Sequence, residues 1–484
     1  MNAQSGAEPT IGHGRLLFAA IAAAYVALAP ARVEAQSPAG ARRLEAHVWA
    51  QAADPGPLVA GAADDFWTSY GWHYRFDGTK LGELEFSDRL AGKPERIYGI
   101  RVGSRGQVFM VGTWPGLGVS MSAHDQNGQQ RWIKALGRVS GKSAARGPVR
   151  RRAQEEEASP EITWAEILGV DDSGSVRISG WLKGCVDLAP PPASFVDCAT
   201  WERAGKNFSP EADALPALFF TSRFDDSGGW KGSQTFPRLP ARDISWSIAD
   251  DALAATAGGY WNKPLAFQAP AGTPTSISFR EDDPPYKSIV VLLDRTGRLR
   301  GTLHLFAHGA PVARSLTFDG HGWLWMLTTY SPGLEVRGPG RVRTGTSVGK
   351  CLSLVSLVDV DNGKKDQIPY FHASYCTPSL SASFPATLSV GSDDRVIVSW
   401  APAGMFEGEP PIEPPPGLAS PPPPRDVLGN VPRDHVPTRL VVTRRGRLEW
   451  SSPIPASHAI GLRDGWICFD IPKRLACVRP TPVK

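Results

Sequence analysis

His304 and His308 stand four residues apart, the spacing at which two imidazoles on one helix face hold a metal ion. Their neighbours read as a strand end and a loop, where that spacing does not put two side chains on a common face, so the pair is read as accidental. Neither a Gly-x-Ser-x-Gly nucleophile elbow nor a His-Glu-x-x-His helix occurs in the chain. Carboxylates are plentiful, but Asp171-Asp172 and Asp225-Asp226 lack the frame of a calcium-binding loop, with its Glu at the twelfth place. These aspartates fall in hairpin turns, where Asp stabilises the turn through its own side chain. No catalytic, cofactor-binding or metal-binding residue is therefore nominated, and no cofactor is expected.

The cysteines carry the next possible chemistry. There are six, at Cys185, Cys198, Cys351, Cys376, Cys468 and Cys477. An even number in an exported chain reads as three disulfides, and six cysteines allow about 15 pairings. Cys468 and Cys477 flank a hairpin and Cys185 and Cys198 bracket a Pro-rich loop, which leaves Cys351 with Cys376. Zinc is disfavoured because no Cys-x-x-Cys and no Cys/His cluster of ligand spacing occurs.

Export itself is read from residues 1–35. Arg15 supplies a positive start, Leu16 to Ala29 an apolar run, and Val33-Glu34-Ala35 a small-x-small cleavage site. No cysteine sits at the cleavage site, so a lipid anchor is not indicated, and no later stretch is long and apolar enough to span a bilayer as a helix. The expected location is periplasmic, cell-surface or secreted. The net charge of +4 is unchanged by removing residues 1–35, which hold Arg15, Arg32, Glu8 and Glu34. A near-neutral exported chain has a poor footprint for nucleic acid.

The elements that would position any site are short strands. The chain has 50 Gly, 44 Pro and 16 Trp against 5 Met, a composition suited to strands and tight turns. An alternating strand, an Asp/Gly or Ser/Gly turn and a second strand recur at Ile97 to Trp114 and Ile167 to Trp181. Weaker copies stand at Ile244 to Tyr260, Ser315 to Thr329, Ala386 to Trp400 and Ala459 to Ile471. Starts roughly 70 residues apart mean a repeat architecture.

A second hairpin follows the first at Val119 to Leu136, Leu218 to Phe236, Ile289 to Phe306, Leu352 to Tyr370 and Leu440 to Ile454. Two hairpins make a four-stranded unit, one blade of a propeller. The last copy has only seven residues after Cys477, and Phe66 to Phe86 is a hairpin with no first hairpin before it. The fold expected is an all-β propeller of about six four-stranded blades, closed by pairing N- and C-terminal strands in one blade. The blades fall at residues 96–137, 161–236, 242–306, 312–371 and 383–455, with 458–480 plus 66–87 as the split one. Residues 36–65 form a lead segment.

Ile167 to Gly184 followed by Leu218 to Phe236 resembles the β-propeller repeat of bacterial exported proteins. Its Asp-x-x-Gly-x-Val-x-x-x-Gly hairpin corresponds to Asp171 to Gly180 and its Gly-x-x-Asp-Leu to Gly184-Cys185-Val186-Asp187-Leu188. Its Asp-x-x-Gly-x-x-x-Trp turn corresponds to Asp125 to Trp132 and, with Trp230 two residues early, to Asp225 to Trp230. The likeness covers about a quarter of the chain well and implies a propeller fold. That family has no agreed activity, so no catalytic residue is carried over. A sialidase-type turn, Ser-x-Asp-x-Gly-x-Thr-Trp, is only approximated by Ser222 to Trp230, whose Trp comes one residue early.

Three loops complete the reading. Arg150-Arg151-Arg152 and Glu155-Glu156-Glu157 belong to a solvated linker, and Pro402 to Pro437 is an extended Pro-rich insertion. Asn207-Phe208-Ser209 is a glycosylation sequon of chance frequency. Trp114, Trp181, Trp246, Trp323, Trp325, Trp400, Trp450 and Trp466 are expected to pack between sheets. The function expected is non-enzymatic binding or scaffolding for a protein or saccharide partner. The alternative is a carbohydrate-active hydrolase or lyase with carboxylates in a central channel.

Overall fold

The computed structural model describes residues 42–50, 57–139, 161–183, 186–189, 218–237, 244–248, 252–260, 265–268, 274–277, 286–294, 299–307, 312–319, 323–330, 334–338, 341–344, 350–358, 368–377, 384, 386–391, 394–406, 411–415, 417–419, 438–462, 464–471 and 474–482. Arg43–Thr481 is the compact unit that holds the sheets. The described residues contain strands and turns and no helix, so none is long and apolar enough to cross a membrane.

Among the described residues seven sheets have four strands or more, six of four and one of six, beside two two-stranded ribbons, Arg138–Val139 with Val186–Asp187 and Leu265–Gln268 with Pro274–Ile277, and the register is antiparallel wherever strands pair in a ladder. The first holds Leu58–Ala60, Asp65–Thr68, Trp72–Arg75 and Lys80–Glu83, in that order. The second holds Arg96–Val102, Val108–Trp114, Gly118–His124 and Gln130–Ala135, and the third Glu161–Val170, Val176–Lys183, Leu218–Phe224 and Trp230–Pro237. The fourth runs Ile244–Ile248, Ala252–Tyr260, Tyr286–Asp294 and Leu299–Phe306, then adds the hairpin Glu335–Gly338 and Arg341–Thr344. That hairpin is borrowed from between two strands of the fifth sheet, Val312–Phe318, Leu324–Tyr330, Lys350–Val358 and Ile368–Thr377. The sixth is Thr387–Val390, Arg395–Pro402, Thr438–Arg444 and Arg447–Ser452.

The seventh sheet joins the two ends of the chain. Its strands Ser457–Gly461, Ile467–Ile471 and Arg474–Pro482 are completed by Arg42–Ala50. Arg479 reaches Glu45 at 3.1 Å, and the Thr481 hydroxyl donates to the Arg43 carbonyl at 3.3 Å. This corrects the expected split unit. Phe66 to Phe86 does not pair with residues 458–480 but lies in the first sheet, and the expected lead segment 36–65 supplies both Arg42–Ala50, the outer strand of the seventh sheet, and Leu58–Ala60. Leu44 and Ala46 face one core while Trp49 faces another, the period of two that a strand buried on both faces requires.

Packing follows the same period throughout. In Val108–Trp114, Val108 and Met110 face a core shared with Phe66's neighbour Trp67 and Leu84 of the first sheet. Phe109 and Val111, on the other face, pack with Ile167, Ile178 and Phe220 of the third. The fourth and fifth sheets enclose a core, as do the fifth and sixth, the sixth and seventh, and the seventh and first. Each fully buried large side chain contributes roughly 1.5–3 kcal/mol of transfer free energy, so the sheets are held mainly face to face.

The first strands of consecutive sheets also lie against each other from the first sheet to the seventh, and Ser457–Gly461 in turn lies against Leu58–Ala60. Among the described residues two disulfides are present, Cys351–Cys376 and Cys468–Cys477, each joining directly opposed positions of neighbouring strands. They fit an oxidising compartment outside the cytoplasm. Cys185, Cys198, residues 1–35, the Arg150 to Glu157 linker and Asn207 to Ser209 lie outside the described residues.

Candidate functional site

The turn aspartates are acceptors spent on their own turns. Asp125 Oδ1 accepts from the amides of Asn127 and Gln129 at 2.9 and 3.0 Å. Asp171 Oδ1 does the same for Ser173 and Ser175 at 3.0 and 2.9 Å, and Asp225 Oδ1 for Ser227 and Gly229 at 3.1 and 2.6 Å. The hydrogen bond from Lys231, then those from Ser227 and Gly229, hold Asp225 far below the usual carboxylate range. Burial pulls Asp171 upward, but Ser173, Ser175 and Arg223 together outweigh it and the net shift is down. Asp171 and Asp225 are thereby held as carboxylates near neutrality, which makes them poor proton donors.

These turns also dock the sheets. Gly128 (φ 85°) and Gly228 (φ 79°) occupy the left-handed region that glycine favours. The Glu85 amide donates to the Gly128 carbonyl at 2.8 Å, and the Trp132 indole to the Asp226 carbonyl at 3.1 Å. The Asp-x-x-Gly pattern thus sets both the turn and its seat on the preceding sheet.

Histidines pair with hydroxyls or carboxylates in several sheets. His124 Nε2 is 3.0 Å from Ser122 Oγ and its Nδ1 3.0 Å from the Gly128 carbonyl, a serine–histidine pair fully buried beneath Phe86. Burial lowers its pKa. In the fifth sheet His372 meets Ser356 and lies 4.7 Å from the ring of Trp325, whose indole donates to Asp319 Oδ2 at 2.8 Å. His304 stands 3.3 Å from Thr302 Oγ1, and His308 lies outside the described residues. Ser356 and His372 join neighbouring strands, whereas Ser122 with His124 and Thr302 with His304 each lie along one strand.

The tryptophans divide by burial. Trp114, Trp325, Trp450 and Trp466 are buried, whereas Trp181, Trp323 and Trp400 are only half-buried and the side chain of Trp246 lies outside the described residues. Trp400 and His458 are strained non-glycine residues, at φ 57° and 44°, each within a register irregularity at the edge between the sixth and seventh sheets. The Trp400 indole donates to Ser457 Oγ at 2.7 Å, and exposed His458 reaches Asp470 at 3.3 Å. Of the Pro402 to Pro437 insertion, Ile412 donates its amide to the Ser451 carbonyl at 2.7 Å and Leu418 is buried between the same two sheets.

A second group, which sequence reasoning missed, lies on the first strands. Arg101 is exposed and Glu166 half-buried, on the facing first strands of the second and third sheets. Burial, opposed by Arg101, pushes the Glu166 carboxyl up to about 7, and burial lowers Arg101. No protein-family model and no curated protein matches the chain. The chemistry must therefore be read from the side chains. Glu166 is a proton donor or acceptor balanced near neutrality, and Arg101, on the neighbouring first strand, is a forked cation whose charge acts on it. Among the described residues no group of three His, Cys, Asp or Glu side chains has the geometry of a metal site.

Proposed function

We propose that Arg43–Thr481 is a closed β-propeller of seven blades that works outside the cytoplasm as a non-enzymatic binding or scaffold protein. Its partner would be a protein or a saccharide. The observation that carries this reading is the succession of first-strand contacts, which runs from each sheet to the next and from the seventh back to the first, with apolar cores described between six of the seven neighbouring pairs. Sharing of the seventh sheet by both ends of the chain supports closure, because it removes an exposed edge. The two disulfides and the leader-like residues 1–35 support export. Likeness of Asp171 to Trp230 to the repeat of bacterial exported propellers belongs to the same reading.

Binding is favoured over hydrolysis by how the carboxylates are used. Retaining and inverting glycosidases work with a pair of carboxyl groups about 5 to 9.5 Å apart. Among the described residues Glu166 has the charge of Arg101, not that of a second acid, acting on it. The test is thermal unfolding of the purified protein against saccharides, peptides and divalent cations with a chelator control. A selective rise in midpoint without turnover supports a binding protein. Turnover of the stabilising saccharide, lost in Glu166→Gln, would establish the hydrolase or lyase instead.

A further inference from the structure

The sixth sheet departs from the second and third at a single position. In the turn between the first and second strands, the Gly103 amide donates to the Gln107 carbonyl, the Asp171 amide to Ser175 and the Gly391 amide to Arg395. Counted from those acceptors, Gly112, Gly180 and Trp400 stand at the same step of their strands. A Cβ at either glycine would collide with the first strand, at the carbonyl of Arg96 or of Trp164. At Trp400 the chain bends instead: φ is 57° and the register slips between Val398 and Ala401. A bulge of this kind re-aims a side chain. Trp400 is half-buried and, among the described residues, packs into neither of the apolar cores that flank the sixth sheet. A left-handed tryptophan is costly where glycine would serve, and such cost collects where side chains are held for function.

The groups that Trp400 meets are held in the same way. Its indole donates to Ser457 Oγ at 2.7 Å, Ser457 stands directly opposite Asp470, and Nδ1 of exposed His458 lies 3.3 Å from Asp470 Oδ1. His458 has the other positive φ at this joint, 44°, within the slip between Ser457 and Ile460. An indole, an imidazole and a carboxylate thus meet where the second strand of the sixth sheet ends and the first strand of the seventh begins. The Pro-rich insertion leaves the sixth sheet at the same place, after Pro402. It docks on both sheets, the Ile412 amide donating to the Ser451 carbonyl and Arg474 to the Gly417 carbonyl at 3.3 Å.

We propose that Trp400, His458 and Asp470 bind one pyranose ring of a neutral saccharide, with the C–H face of the sugar against the indole and its hydroxyls on the imidazole and the carboxylate. This names the ligand of the binding protein proposed above and rests on that reading. A pyranose is apolar on its faces and polar at its rim. The indole, already fixed by its bond to Ser457, offers a flat apolar surface with little freedom left to lose on binding. Hydroxyls both donate and accept, so they suit a carboxylate, which only accepts, and an imidazole in either tautomer. An anion would meet the Asp470 carboxylate, and a cation would compete with the imidazole already placed on it.

The test is calorimetric titration of the purified protein with maltose, cellobiose and diacetylchitobiose. Glucitol is the control, an open chain with hydroxyls and no ring face. Wild type is expected to bind at least one of the disaccharides and not glucitol. Trp400→Gly should abolish binding while its unfolding midpoint stays at or above that of wild type, because glycine relieves the positive φ. Asp470→Asn, and His458→Asn, whose new side chain tolerates left-handed backbone, should each bind about ten-fold more weakly, the loss of about one ligand hydrogen bond. The proposal is overturned by no binding of any of these disaccharides, by glucitol binding as well as they do, or by a Trp400→Gly protein that loses stability instead of binding. A disaccharide that binds wild type and Trp400→Gly alike leaves the binding-protein reading standing and removes this site. Cleavage of a bound disaccharide, lost together with binding in Trp400→Gly, keeps the site and ends the non-enzymatic reading.

Discussion

The indole N–H of Trp132 donates to the main-chain carbonyl of Asp226 at 3.1 Å, joining residues 94 apart in the chain. Trp132 is on the fourth strand of the second sheet and Asp226 in the last turn of the third, so the bond seats one sheet on the next. Gly228 makes this seat possible. A Cβ there would stand 3.0 Å from the Trp132 ring, and the residue's φ of 79° is already costly for any side chain. Gly228→Ala is expected to destabilise by about 1–3 kcal/mol. Gly99→Ala, where a Cβ meets nothing within 4 Å, should change stability far less. Equilibrium denaturation of the two variants checks the difference, and equal midpoints would refute the seating role.

The disulfides differ in the loops they close. Cys468 and Cys477 are 9 residues apart and Cys351 and Cys376 are 25 apart. Constraint of the unfolded chain then gives about 2.5 kcal/mol for the first and about 3.5 kcal/mol for the second. Replacing each pair by Ala should lower the denaturation midpoint, the Cys351/Cys376 variant more. The reverse order would show that packing of the Cys468 and Cys477 side chains against Leu58 and Phe66 outweighs the loop effect.

Much of this fold is legible in local sequence, and the remainder is non-local. Hairpins such as Ile97 to Trp114 and Leu218 to Phe236 announce themselves because both strands and the turn between them are contiguous. Arg42–Ala50 has its partner at Arg474–Pro482, so no turn accompanies it and only its alternation marks it as a strand. Leu58–Ala60 is three residues long, too short for a periodic signal. Arg101 and Glu166 look like ordinary strand residues in the sequence. Their relation arises because two first strands meet, which no spacing between positions 101 and 166 encodes.

Arg42–Ala50 should be indispensable to a soluble fold. Without it Arg474–Pro482 becomes an open edge, a template for pairing with another chain. A chain starting after Ala50 is expected to elute from size exclusion as aggregate or oligomer where the parent elutes as a smaller species. Supplying a peptide of residues 42–50 should restore part of the original elution, since strand addition to a free edge is a recurring mode of binding. A truncated chain that behaves like the parent would mean that the closing strand is dispensable.

Asp64 and Asp65, adjacent in the first sheet, should answer pH in opposite directions. Asp64 has its pKa raised, first by burial and then by Asp464, in the turn between Ser457–Gly461 and Ile467–Ile471, and its Oδ1 is buried with no hydrogen-bond partner among the described residues. Its contribution is fully present below the unfolded carboxylate value and is lost as pH rises through the higher folded value. Burial also pulls Asp65 upward, but the His73 side chain 2.8 Å away and the Ala63 amide prevail and its pKa is lowered. That contribution is present above the unfolded value and lost as pH falls through the folded one. Asp64→Asn should therefore raise the unfolding midpoint near neutrality, with the gain vanishing in acid. Asp65→Asn should lower the midpoint near neutrality, with the loss vanishing in acid. Midpoints of both variants measured from acid to neutral pH decide the matter, and parallel curves would show that Asp64 and Asp464 do not oppose each other across the joint between the first and seventh sheets.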